Sequence, residues 1–166
     1  MASGVEARRV AYSLASSQLG VLSRRQMVPG GLAGNLIDDW LKSGYLLKVV
    51  PGVYTLGRPA REASSFWMAG VLFGGNGTVL AGSSAAAAWG LREASREVEV
   101  MRSCGLPATV PGTTPHEAWS ISLRRGPVRP AEVTKIGPLV VMKPARLLLD
   151  LAGRTEWFEL RRTFIE

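Results

Sequence analysis

The sequence predicts a mixed α/β fold in two parts, an N-terminal domain at 1–58 and a mixed α/β domain at 59–166. Segments with helical apolar periodicity alternate with short runs rich in β-branched residues, which indicates helices and strands interleaved along the chain. Gly57-Arg58-Pro59 punctuates the chain between the two parts. A hydrophobic content of 46% over 166 residues is enough for a buried core.

The N-terminal part opens with a helix predicted at 5–18, because its apolar residues recur on one helical face. A short apolar strand follows at 20–22. Ser23 and Gln26 then have the spacing of a capping box, in which each side chain binds the backbone N–H of the other residue. The short helix that they start is expected to end at 29–31, where the sequence is Pro-Gly-Gly.

A third helix is predicted at 35–43, and Gly44 suits the left-handed conformation that ends a helix. Two strands follow at 45–50 and 53–56, joined by Pro51-Gly52, which suits a type II turn. Helix, tight turn, helix and hairpin is the order of elements in a winged helix-turn-helix, which is a DNA-binding unit.

In such a unit the helix after the turn lies in the major groove, and the hairpin touches the neighbouring DNA backbone. Asn35 and Lys42 are therefore candidates for base edges. The arginines of the second helix and the lysine of the hairpin are candidates for phosphates. The predicted DNA-binding residues are Ser23, Arg24, Arg25, Asn35, Lys42 and Lys48. The alternative interpretation is that these are solvated side chains, as on any small domain.

Two carboxylates complicate this prediction, because Asp38 and Asp39 fall on the exposed face of the third helix and would repel phosphates. Two other roles are open to them. An acidic side chain can accept a hydrogen bond from cytosine N4, or it can interact with the positive end of the helix dipole.

Net charge and composition narrow the function classes. The chain carries +7 with a pI near 10.3, which favours polyanionic partners. Residues 1–58 have seven Lys or Arg against three Asp or Glu, and the remainder has thirteen against ten, so positive charge is denser in the N-terminal part. No apolar run reaches the roughly 18 residues of a membrane span, and a signal-peptide pattern is missing. The single cysteine, Cys104, excludes an internal disulfide and fits a soluble, cytoplasmic protein.

The second part alternates helical and extended patterns. Helices are predicted at 62–73, from Ser83 or Ser84 to about Gly90, at 144–152 and at 156–165, with a single helical turn at Pro130. Strands are predicted at 78–80, 97–101, 119–123 and 139–142. The segment 104–115 contains three prolines and is expected to be a loop. The last helix has no capping signal at its end, as expected of a chain cut from a longer protein.

These landmarks resemble a known family, the AbiEi-type antitoxins of type IV toxin–antitoxin systems. The resemblance begins with Gly-Val-Leu-Ser-Arg-Arg-Gln at 20–26 and the Pro-Gly-Val-Tyr hairpin at 51–54. Its most specific parts are Ser-Ala-Ala-Ala-Ala-Trp-Gly-Leu at 84–91 and Pro-Ala-Arg-Leu-Leu-Leu-Asp-Leu-Ala at 144–152. The strand at 98–100 and Ala-Glu-Val-Thr at 131–134 belong to it as well, so it covers nearly the whole chain.

The resemblance implies a winged-helix domain that binds operator DNA and represses its own operon, followed by an α/β domain associated with antitoxicity. It also implies a partner toxin of the nucleotidyltransferase-like kind. The chain departs from the family at Asp38-Asp39, where arginines are usual, and at 81–83, where Ala-Gly-Ser replaces Ser-His-Arg. A dimer would suit a palindromic operator. A protein that neutralises a toxin without binding DNA is the alternative.

The main enzymatic alternative is a nucleotidyltransferase. Gly82-Ser83 followed by Glu97 and Glu99 resembles the signature in which a Gly-Ser turn holds a triphosphate and carboxylates hold Mg²⁺. The first acid is normally Asp, however, and a third carboxylate cannot be placed. The favoured interpretation is that Gly82-Ser83 starts a helix and the glutamates line the wet face of a strand. We therefore expect no enzymatic activity, no cofactor and no metal.

Other polar and aromatic residues are expected to be structural. His116 and Cys104 lack an orienting third group for catalysis. Asp150, within a leucine-rich helix, is expected to pair with an arginine, for which Arg146 is the nearest candidate.

Four of the five tryptophans fall in apolar segments and are expected in the core, which leaves Trp157 open for base stacking. Two arginine pairs, 124–125 and 161–162, are either an extension of the DNA surface or solvated side chains.

Overall fold

A computed structural model describes residues 4–105, 107–111 and 119–153 of the chain. The described part is a mixed α/β structure, which confirms the predicted fold class. It contains a three-stranded sheet in the N-terminal part and a six-stranded sheet in the second part. None of the described helices combines the length and the apolar character needed to cross a bilayer.

The N-terminal part has the predicted order of three helices, a short strand and a hairpin. Its elements are α1 (Gly4–Ser17), β1 (Val21–Ser23), α2 (Arg24–Met27), α3 (Gly34–Lys42), β2 (Leu46–Val50) and β3 (Val53–Leu56). The antiparallel sheet has the order β1-β3-β2, with Val21 opposite Thr55 and Lys48 opposite Tyr54. Gly52 has φ +77° in the hairpin turn and Gly44 has φ +75° after α3, which are the left-handed conformations predicted for them.

The three helices pack on one face of this sheet. Small residues of α1 allow close approach, since Ala7 and Ala11 are fully buried. Ile37 and Trp40 of α3 belong to the same apolar cluster, and the Trp40 ring meets Tyr45 edge-on at 4.9 Å between centroids. The apolar face predicted for α3 is therefore its buried face.

The second part builds a six-stranded sheet with the order β6-β7-β5-β4-β9-β8. Its elements are α4 (Ala63–Gly74), β4 (Val79–Leu80), α5 (Gly82–Ala88), β5 (Glu97–Arg102), β6 (Ala108–Pro111), β7 (Ser120–Arg125), a 3-10 turn (Pro130–Glu132), β8 (Val133–Ile136), β9 (Leu139–Met142) and α6 (Pro144–Ala152). The pairs β5–β7 and β4–β9 are parallel, and the other pairs are antiparallel.

The two parts pack against each other through α4. Met68 and Ala69 of α4 lie in one buried apolar cluster with Val21 and Val53 of the N-terminal sheet. The Ser65 hydroxyl donates a hydrogen bond of 2.8 Å to the Leu19 carbonyl. The N-terminal sheet therefore lies between α4 and the α1–α3 cluster. The division into domains at residue 58 stays a prediction.

One sequence prediction in the second part is corrected, and one strand was not predicted. Within the loop predicted at 104–115, residues Ala108–Pro111 form strand β6. This strand lies at the edge of the sheet, where a proline that cannot donate to a neighbour is tolerated. Strand β8 at the opposite edge was not predicted, because its sequence, Val-Thr-Lys-Ile, does not alternate apolar and polar residues. The helix predicted at 156–165 lies outside the described residues.

Candidate nucleic-acid interface

The start of α2 is fixed by the predicted capping box. The Ser23 N–H donates to Gln26 Oε1 at 3.1 Å, and the Ser23 hydroxyl donates to the same oxygen at 2.9 Å. Gln26 Nε2 in turn donates to Gln18 Oε1 at 2.6 Å, which ties α2 to the end of α1. Ser23 is only 4% exposed, so its side chain positions α2 and offers a phosphate almost no surface.

Arg24 joins α2 to α3 through a two-point ion pair with Asp38. Arg24 Nη1 lies 2.6 Å from Asp38 Oδ1, and Nη2 lies 3.3 Å from Oδ2. Nη2 is also 3.3 Å from the Gly34 carbonyl oxygen at the start of α3. The planar guanidinium suits this bidentate contact with a carboxylate. The turn between the two helices is therefore held by a side-chain contact in addition to the backbone.

Both partners of this pair have shifted pKa values. The hydrogen bonds with Asp38 and then Tyr54 raise the pKa of Arg24 above its usual range. The hydrogen bond from Arg24 lowers the pKa of Asp38 below its usual range. Their side chains are 38% and 50% exposed, so solvent screens the attraction. Both groups are charged at neutral pH.

The carboxylates of α3 thus lie beside cations. Asp38 is paired with Arg24, and Asp39 Oδ1 lies 3.9 Å from Lys42 Nζ in a loose, exposed pair. The repulsion of phosphates expected from these two residues is therefore reduced. The same contacts also make Arg24 and Lys42 less available to a duplex than unpaired cations would be.

Three of the predicted residues are exposed without a side-chain hydrogen bond or ion pair to the described part of the chain: Arg25, Asn35 and Lys48. Asn35 lies in the first turn of α3, and Lys48 lies on β2 next to an irregularity in the strand register. A Cβ atom at Gly75 would meet the Arg25 guanidinium, so that side chain extends towards the turn after α4.

A groove of about 660 Å³ separates α2 and the hairpin turn from the end of α4. Arg24 and Arg25 lie on one side of it, and Leu72 and Phe73 lie on the other. The basic residues of α2 therefore border an apolar surface of the second part. No local sequence pattern predicts this contact.

The second part contains a half-buried polar network that joins four elements. Glu99 Oε1 on β5 accepts hydrogen bonds from the Ser83 N–H at 2.8 Å and the Ser83 hydroxyl at 2.6 Å. Arg124 Nε on β7 lies 3.8 Å from Glu99 Oε2, and Arg124 Nη2 lies 2.8 Å from Asp150 Oδ2 on α6. The exposed fractions of the Glu99 and Asp150 side chains are 14% and 9%.

This network bears on the nucleotidyltransferase alternative. Glu97 is exposed at the start of β5, whereas Glu99 is directed at the Gly82-Ser83 turn. A Cβ atom at Gly82 would overlap the Glu99 carboxylate, so the turn and the acid are in contact, with no space between them. Within the described ranges, no group of three or more His, Cys, Asp or Glu residues is placed to hold a metal ion.

The arginine partner of Asp150 differs from the prediction. Asp150 pairs with an arginine as expected, but the partner is Arg124, and Arg146 binds Glu132 at 2.8 Å. Of the arginine pair at 124–125, Arg124 is therefore held inside this network, whereas Arg125 is exposed. The second arginine pair, at 161–162, lies outside the described residues.

The tryptophans of the described part are packed as predicted. Trp40 and Trp119 are 7% exposed, and Trp67 and Trp89 are partly buried against the larger apolar cluster. The Trp89 indole N–H donates to the Met142 carbonyl at 2.8 Å. Cys104 is exposed. His116 and Trp157 lie in the segments that the structure does not describe.

Comparison with known proteins adds no family assignment. The chain matches no protein-family model and no curated protein sequence. Its function therefore has to be inferred from its residues and their contacts.

Proposed function

We propose that the chain is a DNA-binding, antitoxin-like transcriptional repressor that binds operator DNA through its N-terminal part. The observation that carries the proposal is the outer face of α3. Asn35 and Lys42 lie on that face, and each of its two carboxylates has a cation beside it. Without that compensation, the acidic residues would exclude α3 from a duplex.

The charged residues around α3 support the same proposal. Arg25 on α2 and Lys48 on the hairpin are exposed and would bind phosphates. Arg24 would keep α2 and α3 in register through Asp38 and would contact the DNA backbone with its remaining N–H donors. Asn35 has the donor and acceptor pair that matches an adenine edge.

The sequence resemblance to AbiEi-type antitoxins extends the proposal to the biological partner. On that basis the DNA is the operator of the chain's own operon, and the second part binds a nucleotidyltransferase-like toxin. Two copies on a palindromic operator would follow from the symmetry of such sites.

The contacts to phosphates can be tested with matched variants. In Arg25→Ala with Lys48→Ala, binding to every duplex should weaken, and the salt dependence should flatten by about one counterion for each charge removed. Lys135→Ala is the control, because Lys135 is exposed on β8 at the edge of the other sheet. Equal effects of the double variant and the control would show that Arg25 and Lys48 do not bind phosphates. If the protein binds the product of the neighbouring gene but binds no duplex, the result would favour the alternative in which the chain is a toxin-binding module.

A further inference from the structure

Three arginines near the start of α4 have no side-chain partner within the described ranges. Arg58, Arg61 and Arg96 make no side-chain hydrogen bond or ion pair with the described residues. Helix α4 has 12 residues, and the side chain of its N-cap residue, Glu62, makes no capping hydrogen bond. The Ser65 N–H donates to the Glu62 carbonyl, so the remaining N–H groups of the first turn, together with the helix dipole, favour an anion at this end.

A groove of about 730 Å³, here called the outer groove, lies between the end of β3 and the start of α4. Arg58, Arg61, Ser65 and Thr55 line it. Thr55 is 4% exposed, and its hydroxyl oxygen is buried without a hydrogen-bond partner in the described part of the chain. Glu62 is the carboxylate among the described lining residues, so the charge balance of the groove is positive. A buried hydroxyl without a partner is uncommon in proteins, and this one belongs to a residue that lines the groove.

A second cavity of about 230 Å³, here called the aromatic pocket, shares Arg61 with the outer groove. Phe66, Trp67 and Trp119 line it, together with Arg96. The rings of Phe66 and Trp119 are 4.6 Å apart and tilted by 41°. Trp119 is 7% exposed, and its indole N–H is buried with no acceptor among the residues that the structure describes. The pocket is therefore lined by aromatic side chains, one of which has an N–H group without an acceptor among the described residues, and this combination matches a planar heterocycle that carries an acceptor.

We propose that the outer groove and the aromatic pocket together bind a nucleotide. Its phosphates would lie at the start of α4 between Arg58 and Arg61, and its base would enter the aromatic pocket next to the Trp119 N–H. An anionic group joined to a planar ring with hydrogen-bond acceptors is the combination that both cavities accommodate. The outer groove alone is within the usual size range of small-molecule sites.

This site is separate from the candidate DNA interface. Along β3, Tyr54 packs into the cluster formed with the helices α1 and α3, whereas Val53 belongs to the cluster formed with α4. Since successive side chains of a strand point to opposite faces, Thr55 faces the α4 side with Val53. The nucleotide site therefore lies across the N-terminal sheet from α3, and it does not depend on the repressor proposal.

The test is a titration of the full chain with ADP, with inorganic phosphate and with adenosine. Binding is measured by tryptophan fluorescence and by calorimetry. ADP should bind saturably and more tightly than phosphate or adenosine alone. Arg61→Gln should weaken ADP binding roughly tenfold or more, because it removes a charge-assisted contact shared by both cavities. Lys135→Gln, which removes the same charge on β8, should bind ADP like the unmodified protein.

The variant Trp119→Phe separates the contribution of the base to ADP affinity from the contribution of the phosphates. It keeps an aromatic side chain but removes the N–H, so ADP binding should weaken while phosphate binding stays the same.

The proposal is overturned if ADP does not saturate the protein, or if ADP and phosphate bind equally and Trp119→Phe changes neither. It is also overturned if Arg61→Gln and Lys135→Gln have equal effects. An Arg61→Gln variant that loses duplex binding as strongly as ADP binding would assign Arg61 to the DNA surface instead. Failure of the repressor proposal would appear only in duplex titrations.

Discussion

Arg24 and Asp38 lie 14 residues apart in the sequence, and their side chains meet at 2.6 and 3.3 Å across the turn between α2 and α3. This ion pair affects the candidate interface in two ways. It neutralises a carboxylate on the exposed face of α3, and it fixes the angle between the two helices that would approach DNA.

The first prediction concerns Asp38→Asn. The amide keeps an oxygen acceptor for Arg24, so the arrangement of α2 and α3 should persist, while a negative charge leaves the interface. Duplex affinity should rise severalfold at low salt, with a steeper salt dependence, because a charge that repels phosphates is removed and the positive charge of Arg24 is no longer neutralised by a carboxylate. Fluorescence anisotropy with a labelled duplex measures both quantities. Weaker binding would mean that the charge of Asp38 itself is needed at the interface.

The second prediction is the pH dependence of the same pair. The folded-state pKa of Asp38 is lowered by its hydrogen bond from Arg24, so its stabilising contribution is complete above the ordinary aspartate pKa of about 4. That contribution is lost as pH falls through the lowered value. The raised pKa of Arg24 has no effect at neutral pH. The stability difference between the unmodified protein and Asp38→Asn should be constant from pH 8 to 5 and should shrink below about pH 4. Thermal unfolding across this range measures it, and a difference that changes near pH 6.5 would contradict the assignment.

The third prediction concerns the polar network of the second part. Arg124→Met removes the cation between Glu99 and Asp150, whose carboxylates remain mostly buried. The free energy of unfolding should fall by about 2 kcal/mol, less than for a fully buried pair because Arg124 is 24% exposed. Arg125→Met is the matched control, since Arg125 is the exposed next residue and should change stability by less than about 0.5 kcal/mol. Urea unfolding of both variants measures these free energies. Equal losses of unfolding free energy in the two variants would show that the network contributes no stability.

The fourth prediction tests the contact between Gly82 and Glu99. Gly82→Ala places a Cβ atom on the Glu99 carboxylate at a residue with φ +51°. Gly77→Ala has the same kind of backbone, φ +77°, but its Cβ atom meets nothing within 4 Å. Left-handed strain of roughly 1–2 kcal/mol is therefore common to both. Gly82→Ala should lose about 1–3 kcal/mol more, the cost of overpacking. Equal unfolding free energies would mean that the carboxylate moves away freely.

Local patterns in the sequence predicted most of the elements. The capping box at Ser23, the end of α3 at Gly44 and the start of α6 at Pro144 all depend on residues within one helical turn. The edge strands β6 and β8 were harder to predict. A strand at the edge needs hydrogen bonds on one side only, so it tolerates proline and does not require an alternating apolar pattern.

Long-range contacts were less predictable from the sequence. Arg146 and Asp150 are four residues apart on one helix, a spacing at which opposite charges often pair. In the fold, however, Asp150 meets Arg124 from β7, and Arg146 meets Glu132 beside the 3-10 turn. The pair of Arg24 and Asp38 has no local signature either. These contacts depend on the order of strands and helices in space, which the spacing of charges along the chain does not specify.

The measurement that tests the repressor proposal most directly is a titration of the purified protein against a duplex from its own upstream region and a scrambled duplex, at two salt concentrations. Preference for the native duplex that persists at the higher salt is the predicted result, because base contacts from α3 depend less on counterion release than phosphate contacts do. Equal binding to both duplexes that disappears at the higher salt would contradict the proposal, since the positive charge would then be only a general surface for polyanions.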